Sequence, residues 1–270
     1  MGNESDKSNE FSILISTCKA YQDVMINWVL LYNKFNVHLD YNVYVITDGY
    51  IENLPSYINQ IVYDSADWQA RLRYALDSIP SKYLFLFLED YFFKTSVDKD
   101  KLNLLTTFIR SNDINYCRMT NIPRQNLCSD NGIISTVDFS KRHAVNLQLA
   151  VWNKIFLQSL LSSGSAWALE DKFNKISVPF EMVNKFAVDS NNIIPLTNGI
   201  IKGKVDLKVN DYYEKEHGFK LEYVDRRSLT PSDYLLIYFK SKGRYIRNKK
   251  IRIFLKKFFG FLGVGFVTKD

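Results

Sequence analysis

Two adjacent carboxylates, Glu89 and Asp90, follow an apolar run that begins at Tyr83. An ionised carboxylate is costly to bury unless it is paired with a cation or binds one. We therefore expect the pair where a buried strand leaves its sheet, which is the edge at which open α/β sheets bind ligands. Two carboxylates there are suitable ligands for a hard divalent cation such as Mg²⁺ or Mn²⁺. A strand that ends in a solvated acidic turn is the alternative interpretation.

Polar side chains also follow two earlier predicted strands. Ser16 and Thr17 end a strand predicted over residues 11–17, and Asp48 ends one predicted over residues 42–49. Because the carboxyl ends of parallel strands meet at one edge of a sheet, we expect these side chains beside the acidic pair. A single acid at a strand end is commonly a turn residue or a helix cap, whereas three polar strand ends in succession favour a ligand site. No glycine-rich phosphate-binding segment follows the first strand, which disfavours dinucleotide-binding and P-loop proteins.

The elements that position these residues alternate between strand and helix. Apolar residues at helical spacing predict helices over residues 21–35, 68–79 and 99–109, and a further strand is predicted over 115–119. Strands that alternate with helices indicate parallel pairing. The predicted fold class is therefore α/β, with a doubly wound, mostly parallel sheet flanked by helices.

The second half of the chain is less regular. Helices are predicted over residues 150–162 and 170–175, and loops over residues 121–138 and 189–208. No internal repeat or low-complexity linker divides this half from the first. One large domain with an appendage is the simplest organisation for 270 residues of which 46% are hydrophobic.

Cysteine usage and the chain's first residues bear on the compartment. The three cysteines have no metal-type spacing and leave an odd thiol, which favours a reducing compartment without a disulfide framework. Residues 1–10 are polar, are expected to be flexible and lack the apolar core of a signal peptide. No apolar run approaches the roughly 20 residues of a membrane span. A cytoplasmic protein is the expectation.

The net charge of +6 is concentrated in the last part of the chain. From Lys240 to Asp270 there are ten basic residues and one acid, which leaves a charge of −3 on the other 239 residues. A mildly acidic body argues against a broad nucleic-acid surface, and no nucleic-acid partner is expected. An apolar stripe at spacings of three and four is formed by Ile251, Phe254, Leu255, Phe258 and Leu262. A basic amphipathic helix of this kind, within a tail over residues 239–270, is expected to lie on an anionic membrane surface. A helix that packs its stripe on the body is the alternative.

Six short segments occur in the order ILISTCKAY, VYVITDG, WQARLRYALDSIPSKYLFLFLEDYFF, LQLAVWNKIFLQSLL, SAWALE and NGIIKGK. Their order resembles that in bacterial glycosyltransferases of the GT-A type, cytoplasmic enzymes that build lipopolysaccharide, capsule or O-antigen units. The resemblance covers residues 11–204. It implies one GT-A-like domain over residues 11–238, with a Rossmann-like nucleotide half over about 11–120 and an acceptor half over about 121–238.

The resemblance also implies an activity. Such enzymes move a sugar from a nucleotide sugar, by default a UDP-sugar, to a hydroxyl of a lipid-linked or polysaccharide acceptor. Together with the basic tail, this predicts a peripheral protein on the inner face of the cytoplasmic membrane. A non-catalytic carbohydrate- or nucleotide-binding scaffold and a sugar nucleotidyltransferase are the alternatives.

By resemblance, the donor diphosphate is held by a metal and by basic residues. Glu89 and Asp90 would bind Mg²⁺ or Mn²⁺, although their adjacency departs from the usual Asp-x-Asp spacing, so Asp90 is alternatively a direct ligand of the donor sugar. Lys202 and Lys204 flank a glycine in a loop that could close over the diphosphate, since lysine amines commonly bind phosphate. An exposed basic hairpin is the alternative for that loop.

The nucleotide is assigned to the other strand ends. Ser16, Thr17 and Asp48 are the candidates for the base and ribose, because a carboxylate accepts hydrogen bonds from ribose hydroxyls or a base imide. Arg71 and Arg73 lie two apart on a predicted helix and cannot share one face. Arg71 is the candidate for the diphosphate.

The acceptor side is assigned to residues near the predicted helix at 170–175. Glu170 is the candidate general base, because the resemblance places the base of an inverting enzyme at the end of a W-x-x-E segment that starts at Trp167. Acids in a first helical turn that only complement the helix dipole are the alternative for Glu170 and Asp171. Gln148 and Trp152 are spaced i, i+4 and would offer an amide and an indole to a pyranose from one helical face.

Overall fold

The computed structural model describes residues 10–36, 39, 41–120, 134–141, 143–173 and 180–243. Within it the chain divides into two compact units. The first comprises Met1–Gly199 with Lys220–Val224, and the second comprises Ile200–Phe219 with the chain from Asp225 onward. The predicted amphipathic stripe from Ile251 to Leu262 lies outside the described residues, as do nine of the ten N-terminal residues predicted to be flexible.

The described residues form twelve strands. They are β1 (Phe11–Ser16), β2 (Asn42–Thr47), β3 (Ile58–Val62), β4 (Tyr83–Leu88), β5 (Tyr91–Phe93), β6 (Tyr116–Arg118), β7 (Ile134–Thr136), β8 (Ala150–Asn153), β9 (Phe186–Asp189), β10 (Leu196–Asn198), β11 (Ile200–Ile201) and β12 (Lys204–Val205). Eight of them build one sheet in the order β3-β2-β1-β4-β8-β6-β9-β7, while β5 pairs with β10 and β11 with β12.

The described residues also form seven α-helices. They are α1 (Gln22–Asn36), α2 (Trp68–Ser78), α3 (Lys99–Ser111), α4 (Lys154–Leu160), α5 (Ala166–Phe173), α6 (Leu207–His217) and α7 (Pro231–Gly243). Three of them begin where an aspartate caps the first turn, and in α6 the Asp206 carboxylate accepts a hydrogen bond from Lys208 N at 3.0 Å. The Asp67 carboxylate accepts a hydrogen bond from Ala70 N at 3.0 Å, and the Asp98 carboxylate accepts one from Lys101 N at 3.1 Å.

The pairing of the sheet confirms the predicted α/β class and refines it. Strands β3, β2, β1 and β4 are parallel neighbours, and β6 is parallel to β9. Strand β8 is antiparallel to both of its neighbours, and β7 is antiparallel to β9, so the sheet is mixed rather than purely doubly wound.

The core has two layers, one on each face of the sheet. Trp28 of α1 stacks on Tyr32 and contacts the edges of Phe87 and Phe93, with ring centroids 5.2–5.4 Å apart. The opposite face is covered by a cluster that includes Leu72, Ala75 and Leu76 of α2 with Leu14, Leu84, Leu86 and Trp152 of the sheet. Successive residues of β1 and β4 are therefore buried on opposite faces, which explains the unbroken apolar sequence of β4.

The predicted helix over residues 150–162 is wrong at its start. Residues Ala150–Asn153 form β8, which lies between β4 and β6, and α4 begins only at Lys154. The Asn153 side chain caps α4 by accepting a hydrogen bond from Phe156 N at 3.2 Å. An apolar run buried on both faces has no period that distinguishes strand from helix. The spacing of the apolar residues therefore could not show that residues 150–153 form a strand.

The loop predicted over residues 189–208 is also incomplete as a description, because it contains the short strands β10, β11 and β12. Strands β3, β5, β7 and β9 and helices α6 and α7 have no counterpart among the predicted elements. The loop predicted over residues 121–138 contains β7, and its residues 121–133 lie outside the described residues. None of the described helices has the combination of length and apolarity that is needed to cross a membrane.

Candidate functional site

The predicted convergence of three strand ends is confirmed in the first unit. Strand β1 lies between β2 and β4, with Ser16 in register with both Ile46 and Leu88. Thr17 continues the ladder, since its amide donates to Ile46 O at 3.0 Å. The residues that follow these strands therefore leave the sheet at one carboxyl edge, which is the ligand-binding edge of α/β sheets.

Arg71 brings a nearly buried positive charge to this edge. Its side chain is on α2, the residue is 9% exposed, and Nη1 donates to Ser65 O at 2.5 Å. The same nitrogen lies 3.7 Å from Oδ2 of Asp48, whose Oδ1 accepts a hydrogen bond from Lys19 N at 2.7 Å. Nε of Arg71 is buried without a hydrogen-bond partner among the described residues. Nε of Arg71 is therefore a charged donor that could bind a ligand.

The hydroxyls of Ser16 and Thr17, at the end of β1, differ in whether they already have a hydrogen-bond partner. Oγ of Ser16 accepts a hydrogen bond from Nε1 of Trp68 at 2.8 Å, so this hydroxyl holds the first residue of α2 against the sheet edge. Oγ1 of Thr17 is buried with no partner in the described part of the chain. Buried polar atoms are nearly always paired, so the Thr17 hydroxyl is the better ligand candidate of the two, and the role predicted for Ser16 stays a prediction.

Asp90 occupies the turn between β4 and β5. Its Oδ1 atom is buried and has no hydrogen-bond partner among the residues that the structure describes. Burial raises the pKa of this carboxyl to about 6, because desolvation disfavours the charged form. Its backbone oxygen accepts a hydrogen bond from Gly199 N at 3.0 Å, next to the pairing of β5 with β10. The turn thus presents one carboxylate oxygen, Oδ1, that has no partner among the described residues.

The acidic residues of this edge affect the pKa of the Cys18 thiol. Burial raises the pKa of Cys18, and the negative charges of Glu89 and Asp48 raise it further. Glu89 and Asp48 therefore lie around the residue that follows Thr17. The searched part of the chain contains no group of three or more His, Cys, Asp or Glu residues that could hold a metal ion. A cation at Glu89 and Asp90 would need substrate oxygens to complete its coordination, as Mg²⁺ commonly does.

Glu170 lies near the same turn. One of its oxygens, Oε1, accepts a hydrogen bond from Leu147 N at 2.8 Å. Burial raises the pKa of Tyr91, and the charges of Asp90 and of Glu170 both add to the rise. Tyr91 is therefore within electrostatic range of both carboxylates. The chain brings Glu170 to within electrostatic range of the strand-end site.

The other predicted acceptor residues fall into two groups. Trp167 precedes Glu170 by one helical turn on α5 and is 76% exposed, and Asp171 is also exposed. Gln148 is half-buried, and its Oε1 accepts a hydrogen bond from Oγ1 of Thr120 at 2.8 Å. These three roles stay predictions.

Trp152 is different, and the prediction of a sugar-facing indole on a helical face is wrong. Trp152 lies in β8, is fully buried, and packs against Tyr116 and Phe173 with ring centroids 4.6 and 5.5 Å away. It is a core residue.

Lys202 and Lys204 belong to the second unit. Lys202 and Gly203 both have positive φ, 53° and 76°, as the tight hairpin between β11 and β12 requires. Nζ of Lys204 lies 2.8 and 2.9 Å from the two carboxylate oxygens of Asp233, and this bond lowers the pKa of Asp233 to about 2. The prediction of a lysine available to phosphate is therefore corrected for Lys204, whereas for Lys202 it stays a prediction.

Sequence reasoning missed three residues of this edge. Trp68 donates a hydrogen bond to Ser16, the pKa of Tyr91 is raised by the charges of Asp90 and Glu170, and the amide of Leu147 holds Glu170. Tyr91 directly follows the acidic pair, which was a usable signal. The contacts of Trp68 and Leu147 span 52 and 23 residues and have no local signature.

Several solved structures are similar to this chain. TarS residues 1–349 from S. aureus in complex with UDP-GlcNAc is 12% identical, with a TM-score of 0.49 over 76% of this chain and 64% of that chain. Galactosyltransferase LgtC in complex with donor and acceptor sugar analogs is 11% identical, with a TM-score of 0.37 over 64% of this chain and 68% of that chain. Bifunctional IspDF from Campylobacter jejuni is 12% identical, with a TM-score of 0.38 over 68% of this chain and 51% of that chain.

The chain spans 58% of one TarS 1–349 structure and 64% of another. Neither a protein-family model nor a curated protein matches it. Because the TM-scores and identities are low, we base the function on the residues of the site and not on these structures.

Proposed function

We propose that the chain is a glycosyltransferase that moves a sugar from a nucleotide sugar, by default a UDP-sugar, to an acceptor hydroxyl. The observation that carries this proposal is a set of buried polar atoms at one sheet edge, on Thr17, Arg71 and Asp90, that have no hydrogen-bond partner in the described part of the chain. Together they offer a hydroxyl, a cationic donor and a carboxylate. A ligand that carries hydroxyls and phosphates would satisfy all three, and the ordered motifs point to the same class of substrate.

The nucleotide is assigned to the β1–β2 side of the edge. Arg71 would bind the diphosphate through its open Nε, which is a charge-assisted contact in a nearly buried setting. Thr17 and Asp48 would bind the ribose or the base. Asp48 is already held by Lys19 N, so its orientation does not have to be fixed by the ligand.

A divalent cation fits the residues on the β4 side. Glu89 and Asp90 would hold Mg²⁺ or Mn²⁺, and the buried, unpartnered Oδ1 of Asp90 is the expected state of a hard-cation ligand. A diphosphate needs more positive charge here than Arg71 supplies, because Asp48, Glu89 and Asp90 are all acidic. When bound, the cation would offset the charge on the departing nucleoside diphosphate.

Glu170 is proposed as the general base of an inverting reaction. The amide of Leu147 holds one carboxylate oxygen, which leaves the other to accept the proton of the acceptor hydroxyl. The acceptor oxygen then bonds to the anomeric carbon as the bond from that carbon to the phosphate oxygen breaks. The electron pair of that bond leaves with the nucleoside diphosphate. Trp167, one turn before Glu170, offers an exposed apolar face for the acceptor sugar, with Asp171 and Gln148 as polar contacts.

The acceptor is proposed to be lipid-linked or a saccharide at the cytoplasmic face of an anionic membrane. The support is the sequence of the tail, in which an apolar stripe is accompanied by basic residues that each contribute about 1 kcal/mol near such a surface. Truncation after Ser241 should abolish co-sedimentation with anionic vesicles and leave nucleotide affinity unchanged. Unchanged co-sedimentation of the truncated chain would exclude the tail as the membrane site.

The activity is tested by incubation of the full chain with a panel of nucleotide sugars, with and without Mg²⁺ or Mn²⁺. The proposal predicts hydrolysis or transfer of at least one sugar with release of a nucleoside diphosphate. Binding to none of the nucleotide sugars would refute it.

A further inference from the structure

The turn at residues 162–165, which joins α4 to α5, is held by side chains at the start of α2. Asp67 uses both carboxylate oxygens. Its Oδ1 caps α2 by accepting from Ala70 N at 3.0 Å, and its Oδ2 accepts from Gly164 N at 2.8 Å. Gly164 has φ of +113°, a conformation that other residues rarely adopt. The 162–165 turn is therefore shaped to meet α2.

Gln69 completes this contact and is 1% exposed. Its Nε2 lies 3.2 Å from both Ser163 O and Ser165 O and donates to them, while its Oε1 accepts from Ser162 N at 2.9 Å. Its backbone amide donates to Gly164 O at 3.1 Å. The side-chain amide thus uses both of its donor hydrogens and its oxygen on one turn. A buried polar side chain satisfied in this way specifies one geometry, because any shift leaves buried groups unpaired.

This contact joins the two halves of the candidate site. Arg71, two residues after Gln69, is the proposed diphosphate ligand on α2. Glu170, five residues after Ser165, is the proposed base on α5, and α5 starts with the amide of Ala168 donating to Ser165 O at 3.1 Å. The 162–165 turn thus leads directly from the Gln69 amide into the helix that carries the base.

We infer that Gln69 is a positioning residue, which sets the acceptor-side helix α5 against the donor-side helix α2 by binding the 162–165 turn. The inference rests on the proposed function, since it assigns the two helices to acceptor and donor. Misplacement of a catalytic group by about 1 Å costs up to about 10²-fold in rate. Loss of the Gln69 contact should therefore slow the chemical step without removing any group that touches the donor.

Gln69→Leu is the first test, because leucine keeps the volume and removes the amide. We expect kcat to fall roughly 10- to 100-fold while KM for the nucleotide sugar changes by less than about twofold. Gln158→Leu is the matched control. Gln158 also links this part of the chain to α2, with Nε2 donating to Asp77 Oδ1 at 2.7 Å, but its side chain makes no hydrogen bond to the 162–165 turn among the described residues. Its kcat should stay close to that of the wild type.

Hydrogen exchange provides a readout that needs no activity. In Gln69→Leu, backbone amides of residues 162–173 should exchange faster than in the wild type, whereas those of α3 should be unchanged. If the wild type proved to have no transferase activity, the proposed function would fail and the exchange result would still decide whether Gln69 holds the turn.

Gln69→Glu is a second test, whose result depends on pH only if residue 69 acts through its hydrogen bonds and not only by filling space. This variant tests the inference if Gln69→Leu does not fold. An ionised carboxylate would repel the carbonyl oxygens of Ser163 and Ser165, whereas the protonated form can donate to one of them. The ratio of its kcat to that of the wild type should therefore rise as the pH is lowered from 8 to 6. A ratio that does not change with pH, or a leucine variant with lowered thermal stability but wild-type kcat, would overturn the inference.

Discussion

Oε1 of Glu170 lies 2.8 Å from the backbone nitrogen of Leu147, which donates a hydrogen bond to it. The contact fixes one oxygen of the carboxylate and leaves the other to meet a substrate. A base held by a backbone amide keeps its orientation when neighbouring side chains are changed. A loss of activity in a Glu170 variant can therefore be attributed to the loss of its carboxylate.

Glu170→Gln should keep donor binding and lower turnover by about 10²–10⁴-fold, which is the usual contribution of general base catalysis. Glutamine preserves the acceptor oxygen for Leu147 N but cannot take a proton. Turnover and donor KM, measured together, check this result. Glu52→Gln, at an exposed glutamate, is the control and should leave both parameters unchanged. Near-wild-type turnover in Glu170→Gln with Asp171 intact would show that the base is another group.

Asp90→Asn should make the protein more stable and inactive. The pKa of Asp90 in the folded state, about 6, is above its ordinary value of 3.8. The folded state therefore holds this proton more tightly than the unfolded state, so stability falls as the pH rises through this window, and the ionised carboxylate is destabilising at pH 7–8. Removing the charge should raise the free energy of unfolding at that pH by at most about 3 kcal/mol.

Thermal unfolding at pH 7.5 and at pH 4 checks this prediction. The gain in Tm of Asp90→Asn should be several degrees at pH 7.5 and should nearly vanish at pH 4. Asp100→Asn, at an exposed carboxylate, should be within about 0.5 kcal/mol of the wild type at both pH values. An Asp90→Asn variant that is less stable than the wild type at pH 7.5 would mean that Asp90 has a stabilising partner.

Arg71→Met should weaken the binding of nucleoside diphosphate, because methionine fills the space of the arginine stem without its charge. A lost hydrogen bond to a charged group is worth about 1.5–3 kcal/mol, which is roughly 10- to 150-fold in Kd. Calorimetric titration with UDP checks the effect. Arg73→Met, two residues along α2, removes an arginine whose Nη2 donates to Leu161 O at 2.6 Å and should leave the affinity unchanged. Equal affinities of the two variants for UDP would show that Arg71 does not bind the diphosphate.

The donor side of the candidate site could be predicted from the sequence because its signals are local. The polar residues Thr17, Asp48 and Asp90 end apolar runs, and parallel pairing brings the ends of such runs together. Trp152 was misjudged because a strand buried on both faces has no period of its own. The contacts of Leu147 with Glu170 and of Gln69 with the 162–165 turn span 23 and 93–96 residues, so no local pattern predicts them.

Gly199→Ala should destabilise the first unit and disturb the Asp90 turn. A Cβ at Gly199 would lie 2.0 Å from the Phe92 ring, and the Gly199 amide donates to Asp90 O. Overpacking of this kind commonly costs about 1–3 kcal/mol. Chemical denaturation and donor KM check the two effects. Gly49→Ala is the control, because its Cβ would meet the flexible Lys19 side chain, with the Cβ of Lys19 nearest at 3.3 Å, and it should cost less. If Gly199→Ala is as stable as Gly49→Ala, the packing of Phe92 behind the Asp90 turn is not tight.

The sheet edge with Thr17, Arg71 and Asp90 is proposed to bind a nucleotide sugar for transfer. The most direct measurement is product analysis after incubation of the full chain with a nucleotide-sugar panel and a divalent cation, in parallel with Asp90→Asn. We expect the wild type to release a nucleoside diphosphate from at least one donor and Asp90→Asn to release none. Release of pyrophosphate would indicate a nucleotidyltransferase, and tight binding without turnover would indicate a scaffold. Either result, or an active Asp90→Asn variant, would refute the proposed transfer at this sheet edge.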